Sequence, residues 1–126
     1  MCEPKSVSNI NPMKVLELEP THANDCWELD KLSLKGIWSL RQWEKELIDP
    51  SRLCIGIIDS NTLLSMTCGW LVLDELQLTA IAVHPEHRRQ GLARIVLQTM
   101  LNKAQQVGAS YATLEVATNN KAVIKL

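Results

Sequence analysis

Apolar residues recur along this chain with a period that switches between two and about 3.6, and each switch marks a change of element. Lys14 to Glu19 alternates, with Val15 opposed to Leu16 and Leu18, and predicts a short strand. Thr21 is the expected cap of a helix that carries Ala23, Trp27, Leu29, Leu32 and Leu34 before Gly36 stops it. Ser39 followed by Gln42 is a capping-box pattern, whose hydroxyl and amide satisfy orphan backbone donors, so a second helix starts there and closes at Pro50. Runs from Leu53 to Ile58, Leu63 to Val72 and Leu76 to Val83 are separated by turn residues at Asp59-Ser60-Asn61 and Asp74-Glu75. Together they predict an antiparallel meander.

Pro85 cannot continue a ladder. Beyond it Ala93, Val96, Leu97, Met100, Leu101, Ala104 and Val107 follow helical spacing and predict one wide apolar face packed on the sheet, with Gly108 as the stop. A strand from Tyr111 to Val116 follows, and Asn119 is expected to begin a last helix that reaches Leu126. The order β-α-α-β-β-β-α-β-α predicts an α/β (α+β) layer with a mixed, mostly antiparallel sheet flanked by helices. Residues 1–12 combine Ser, Asn and Pro with few apolar groups and read as a disordered tail, or as an extension upstream of a start at Met13. One domain, 13–126, remains.

Composition agrees with a single domain: 126 residues, 46% hydrophobic and 21% charged. The net charge of −1 gives no bulk attraction for nucleic acid or an anionic membrane, so any anion site must be local. The four cysteines, Cys2, Cys26, Cys54 and Cys68, lack the spacing of a zinc site, and no metal is expected; they read as reduced and mostly buried. No apolar run approaches the ~20 residues that span a bilayer, and the N-terminus lacks a secretory pattern, so the expected compartment is the cytoplasm. The pattern carries no signal of oligomeric state.

The chemistry concentrates at residues 81–94, IAVHPEHRRQGLAR. A strand ends, the chain turns, and a helix opens near Gly91, exposing up to four backbone N–H groups at the positive end of a dipole. Gly91 admits a ligand to the backbone without a Cβ, and Ala93 keeps the next inward position small. Arg88, Arg89 and Arg94 crowd a helix end where each cation opposes the dipole by roughly 0.3–1 kcal/mol. An exposed basic turn is the bland alternative; the strand before the turn and the helix after it favour a polyanion site.

Arg88-x-x-Gly91-x-Ala93 after Ile81-Ala82-Val83 resembles the coenzyme A signature of the GCN5-related N-acetyltransferases (GNAT), and the resemblance extends from about Met13 to Leu126. Ile37-Trp38-Ser39 with Trp43, Leu73-Asp74-Glu75, and Leu114-Glu115-Val116 leading to Asn119-Asn120 resemble the RimI-type members, which acetylate the N-terminal alanine of a ribosomal protein. The resemblance implies acetyl-CoA as cosubstrate and a protein or peptide N-terminus as acceptor. The turn, Ile81 to Val83 and Arg88 to Arg94 with Gln90 and Leu92 included, would cradle the pyrophosphate and flank the pantetheine, with Asn120 a further coenzyme contact.

A protein α-amino group has a pKa of ~7.7–8.0 and needs a base before it attacks a thioester. From its residues alone, Glu115 is equally a solvated strand carboxylate; the resemblance makes it the proton acceptor, acting through water. Glu75 is a second, weaker candidate beside the substrate, and Trp38 would border the acceptor groove. A backbone N–H near Val83 would stabilise the thioester oxygen. The resemblance also implies a general-acid tyrosine immediately past Leu126, then a Gly-Phe pair and two strands, so the domain is read as C-terminally incomplete. A small-amine acetyltransferase and a non-catalytic acetyl-CoA-binding module stand as alternatives. Cys68 as a nucleophile, and His84 and His87 as phosphate ligands, are side possibilities only.

Overall fold

The computed structural model describes residues 13–116 and 120–126, the side chains of residues 115, 116, 120 and 121 excepted. Residues 1–12 and Asn119 therefore lie outside the described residues. The strands β1 (Lys14–Glu17), β2 (Arg52–Asp59), β3 (Thr62–Val72), β4 (Glu75–Val83), β5 (Tyr111–Val116) and β6 (Asn120–Lys125) form one sheet in chain order. All neighbours are antiparallel except β4 and β5, which run parallel. The parallel pair needs a crossover, supplied by α3 (Leu92–Gln106); α1 (Ala23–Ser33) and α2 (Leu40–Ile48) join β1 to β2.

Each face of the sheet has its own core. Leu92, Val96, Met100 and Ala104 recur every fourth residue along α3 and meet Leu53, Ile55, Ile57, Leu76 and Leu78. On the opposite face α1 and α2 bring Cys26, Leu29 and Trp43 against Cys54, Met66, Cys68, Ala80 and Ala82. Leu78 and Ala80 belong to opposite faces although two residues apart. A bulge explains this: Gly69 pairs with Leu78 and Cys68 with Ala80, leaving Thr79 extra. Thr79 Oγ1 donates to the Cys68 carbonyl at 3.1 Å across the irregularity. Gly69 is required beside it, since a Cβ there would lie 2.8 Å from Leu76 Cδ1 and 3.1 Å from the Gln77 carbonyl oxygen.

The loop between α1 and α2 is organised by a residue that hydrophobic patterning passes over. Asp30 is fully buried, and its carboxyl accepts from the Ile37 N–H at 2.8 Å, the Trp38 N–H at 3.0 Å and Trp43 Nε1 at 2.9 Å. The Asp30 backbone carbonyl also accepts from Leu34 and Gly36. Ser39 caps α2, accepting from the Gln42 N–H at 3.1 Å, but the predicted box does not close, since the Gln42 side chain donates to Glu46 Oε1 at 3.0 Å instead.

Four further expectations need correction. Thr21 is not a helix cap: Pro20–His22 form a 3₁₀ turn, bracketed by the Glu19 N–H donating to His22 Nδ1 at 2.8 Å, and α1 begins only at Ala23. Proline's fixed φ suits the first position of such a turn. The β3–β4 loop is Leu73-Asp74 rather than Asp74-Glu75, because Val72 pairs with Glu75 and puts Glu75 inside the strand. Val107 is exposed at the end of α3 rather than part of its buried face. The last element is a strand and not a helix: β6 pairs with β5 from Val116↔Asn120 to Tyr111↔Lys125. Val123 and Ile124 are β-branched, and a helix so short is marginal, whereas the open edge of β5 offers a full row of backbone partners.

Replacing Asp30 by Ala strands three donors, each costing ~1–3 kcal/mol. The expected loss is about 3 kcal/mol or more, read as a lower urea midpoint at unchanged slope.

Candidate functional site

The site begins where the parallel pair ends. The β4–β5 register runs from Glu75↔Tyr111 to Leu78↔Leu114, so the five residues from Thr79 to Val83 continue without a β5 partner. The bulge at Thr79 also sets the parity of this free segment: Ala80 and Ala82 turn to the α1–α2 core, while Ile81 and Val83 take the other face. The His84 N–H donates to the Leu64 carbonyl at 2.7 Å and so points toward β3. Backbone groups alternate along a strand, so the N–H and C=O of Val83 point the other way, into the gap beside β5.

Past Val83 the chain makes a 3₁₀ turn at Pro85–His87, capped by His84 Nδ1, which accepts from the Glu86 N–H at 3.1 Å. Arg89 and Gly91 then take left-handed conformations, φ 65° and 77°. For Gly91 this costs nothing sterically; for Arg89 it is a strained position. The first backbone bond of α3 is donated by Ile95 to the Gly91 carbonyl at 3.2 Å, so the amides of Leu92, Ala93 and Arg94 lie ahead of any intrahelical acceptor. No acidic residue occupies the first turn of α3.

These elements enclose a cleft of roughly 320 Å³. Ile81 and Val83 of β4 form one wall, Ser33 and Leu34 at the end of α1 another, and Arg88, Arg89, Gly91, Leu92 and Ala93 the third. The Ser33 hydroxyl donates to the Val83 carbonyl at 2.9 Å; Arg88 Nε approaches the same oxygen at 3.4 Å, and its Nη2 approaches Ser33 Oγ at 3.4 Å. Among the described residues no carboxylate pairs with Arg88, Arg89 or Arg94. Three guanidiniums, open amides and a dipole terminus make this end of the sheet strongly attractive to a diphosphate-like anion.

The predicted residues divide accordingly. Ile81, Val83, Arg88, Arg89, Gly91, Leu92 and Ala93 come together around the cleft. The Ala82 side chain is buried against the other core; Gln90 and Arg94 are exposed and lie outside the lining. Trp38 is half-buried at the α1–α2 loop, its ring edge-on to Trp43 with centroids 4.6 Å apart. Glu75 stands at the far end of β4, roughly 20 Å from the cleft at ~3.3 Å per residue. There it accepts from Thr113 Oγ1 at 2.7 Å and from the Tyr111 hydroxyl at 3.5 Å, and its charge pushes the pKa of that hydroxyl up. The backbone of Glu115 follows the last β4–β5 pair and is level with Thr79, and that of Asn120 pairs with Val116. The side chains of Glu115 and Asn120 are outside the described residues.

Ser33 and Leu34 are the cleft residues that sequence reasoning missed. A serine ending a helix carries no motif, and only the fold brings it to Val83.

Cys26, Cys54 and Cys68 are free and buried in one core. A hydrogen bond from the Cys68 thiol to Cys54, and burial, push the Cys68 thiol up, and burial does the same to Cys26, so neither is a ready nucleophile. Among the described residues no group of three or more His, Cys, Asp or Glu could hold a metal ion, and no helix is long and apolar enough to cross a membrane.

The profile of the Acetyltransferase (GNAT) family matches residues 16–126. The chain belongs to this family. Among GNAT relatives, a Bacillus subtilis (strain 168) protein with the provisional name of ribosomal protein bS18-alanine N-acetyltransferase is 27% identical over 95 residues, covering 75% of this chain and 63% of the relative. The ribosomal protein bS18-alanine N-acetyltransferase of Escherichia coli (strain K12) is 41% identical over 56 residues, 44% of this chain and 38% of that one. The chain thus spans less than two thirds of either relative. The crystal structure of the Escherichia coli ribosomal-protein-S18-alanine N-acetyltransferase superposes with a TM-score of 0.77 at 25% identity, over 86% of this chain and 70% of that one. The PaiA N-acetyltransferase of Thermoplasma acidophilum, solved in complex with coenzyme A, shares the fold: TM-score 0.72, 16% identity, 86% and 82% covered.

A Cβ built on Gly91 meets nothing within 4 Å, so substitution there is limited by backbone conformation alone. Gly91→Ala is expected to cost about 1 kcal/mol of stability and Gly91→Asn less, measured by urea unfolding.

Proposed function

We infer that this chain moves an acetyl group from acetyl-CoA to an amine, and that the amine is the N-terminal α-amino group of a ribosomal protein met in the cytoplasm. The observation that carries the coenzyme half is the open amino end of α3, with Arg88 and Arg89 lining the cleft at the mouth of the β4–β5 gap. The acceptor half is supported by the bS18-alanine N-acetyltransferases among its relatives.

The residues suit the coenzyme. Free amides of Leu92, Ala93 and Arg94 and the guanidiniums of Arg88 and Arg89 would hold the diphosphate, and the side chains of Ile81 and Val83 would flank the pantetheine. The coenzyme would supply an acetyl thioester, whose C–S bond breaks as the C–N bond to the amine forms, so that coenzyme A leaves as its free thiol after taking up a proton. The thioester carbonyl oxygen gains negative charge during attack, and the Val83 N–H, pointing into the gap, is suited to receive it. The acceptor must lose a proton to become nucleophilic. Glu115, whose backbone is level with Thr79 at the parting of the strands, is the proposed base, acting through water. Asn120 is a proposed coenzyme contact. Trp38, held by Asp30, is proposed to border the acceptor. Glu75 is not retained beside the substrate, since it faces Thr113 at the other end of β4.

Calorimetry with acetyl-CoA is expected to give a saturable heat that the double substitution Arg89→Glu with Gly91→Asp abolishes. Retention of that heat would remove the turn from coenzyme binding. Glu115→Gln is expected to slow acetylation of an Ala-starting peptide about a hundredfold by mass spectrometry while leaving acetyl-CoA affinity unchanged. Turnover then depends on amine already deprotonated in solution, so the remaining rate rises toward alkaline pH; an unaltered rate and profile would exclude Glu115 as the base.

A further inference from the structure

The parting of β4 and β5 aims two main-chain groups of Val83 into the cleft, and their polarities are opposite. The N–H suits an anion or a polarised carbonyl. The C=O presents its negative end to the same ligand that the arginines and α3 amides attract. Left bare, that oxygen would repel a diphosphate and lack the partner that half-buried backbone carbonyls require.

Ser33 resolves the conflict. It ends α1, 50 residues from Val83 in sequence, and donates its hydroxyl proton to the Val83 carbonyl at 2.9 Å. A serine at a helix end ordinarily turns to its own preceding turn or to water. The hydroxyl oxygen in turn faces Arg88 Nη2 at 3.4 Å, while Arg88 Nε faces the Val83 carbonyl at 3.4 Å, closing a three-membered network. The rest of the segment is fixed from the other side: the Leu64 carbonyl holds the His84 N–H at 2.7 Å, and Ser65 Oγ donates to the Ala82 carbonyl at 2.8 Å. The peptides before and after Val83 are both clamped, which leaves its N–H with one direction.

We propose that Ser33 is a positioning residue of the coenzyme cleft: by holding the Val83 carbonyl and the Arg88 guanidinium, its hydroxyl orients the Val83 N–H and shields the ligand from the carbonyl dipole. This role rests on the coenzyme reading above. It also ties the cleft to the acceptor side, because Ser33 lies one turn beyond Asp30, whose carboxyl holds the Ile37 and Trp38 amides.

The test is calorimetry with acetyl-CoA on the full chain and on the near-isosteric pair Ser33→Thr and Ser33→Val, each also combined with Arg88→Ala. The Val variant is expected to bind about three- to tenfold more weakly, the loss of one hydrogen bond, and the Thr variant within about twofold of the parent chain. The difference between Val and Thr should shrink once Arg88 is absent. Equal affinities for Thr and Val, in a parent chain that binds, would overturn the role of Ser33 and leave the coenzyme site standing. No heat from the parent chain would overturn the coenzyme reading itself. Urea midpoints separate binding from folding, and should branching at Cβ unfold both variants, Ser33→Ala against the parent chain reads the same hydroxyl.

Discussion

A backbone cannot leave its polar groups unpaired in a half-buried place without something else supplying partners. In this chain that constraint acts at one point, where β4 runs on past Leu78 while β5 turns away after Leu114. The groups released there are not waste to be hidden. The bulge at Thr79 sends Ala80 and Ala82 into the α1–α2 core and so assigns the opposite face, and the gap, to Ile81 and Val83. Ser33, Ser65 and Thr67 take up carbonyls along the segment, the last donating to Ala80 at 3.0 Å. Ser33 covers the Val83 carbonyl where it faces the gap, and the Val83 N–H on the same side stays open to a ligand.

The same openness runs through the turn that follows. His84 closes the 3₁₀ turn by accepting from the Glu86 N–H, and beyond that turn Arg89 and Gly91 take left-handed conformations. Arginine at φ 65° is costly, and a chain selected for stability alone would place glycine or asparagine there. Strain at Arg89 and three cations at one helix end, which no carboxylate among the described residues pairs, point the same way. The turn is built against local stability.

Much of this was legible in the sequence because it depends on local spacing. Period-two runs gave β2 to β4, period 3.6 gave α3, and Arg88-x-x-Gly91-x-Ala93 marked the cleft by its position between strand and helix. Three kinds of feature were not legible. The bulge was hidden because Leu76 to Val83 carries apolar side chains on both parities, so a change of face leaves no trace in the pattern. Asp30 and Ser33 act on partners that only folding brings near, and a lone Asp or Ser in a helix has no signature. Residues 120–125 were misread because two turns of good helix formers around Val123 and Ile124 satisfy either period, and the choice was made by the open edge of β5.

The thiols of the second core carry a consequence of their own. Cys54 and Cys68 face each other across β2 and β3, with Cys26 of α1 in the same cluster, all shielded from water. The Cys54 carbonyl accepts from the Leu18 N–H and so turns toward β1, which makes the pair a non-hydrogen-bonded one with side chains close together. Such thiols meet an alkylating reagent only when the sheet parts from its helices. The speed at which they are consumed is therefore an internal clock for opening of this half of the molecule, readable without any added label.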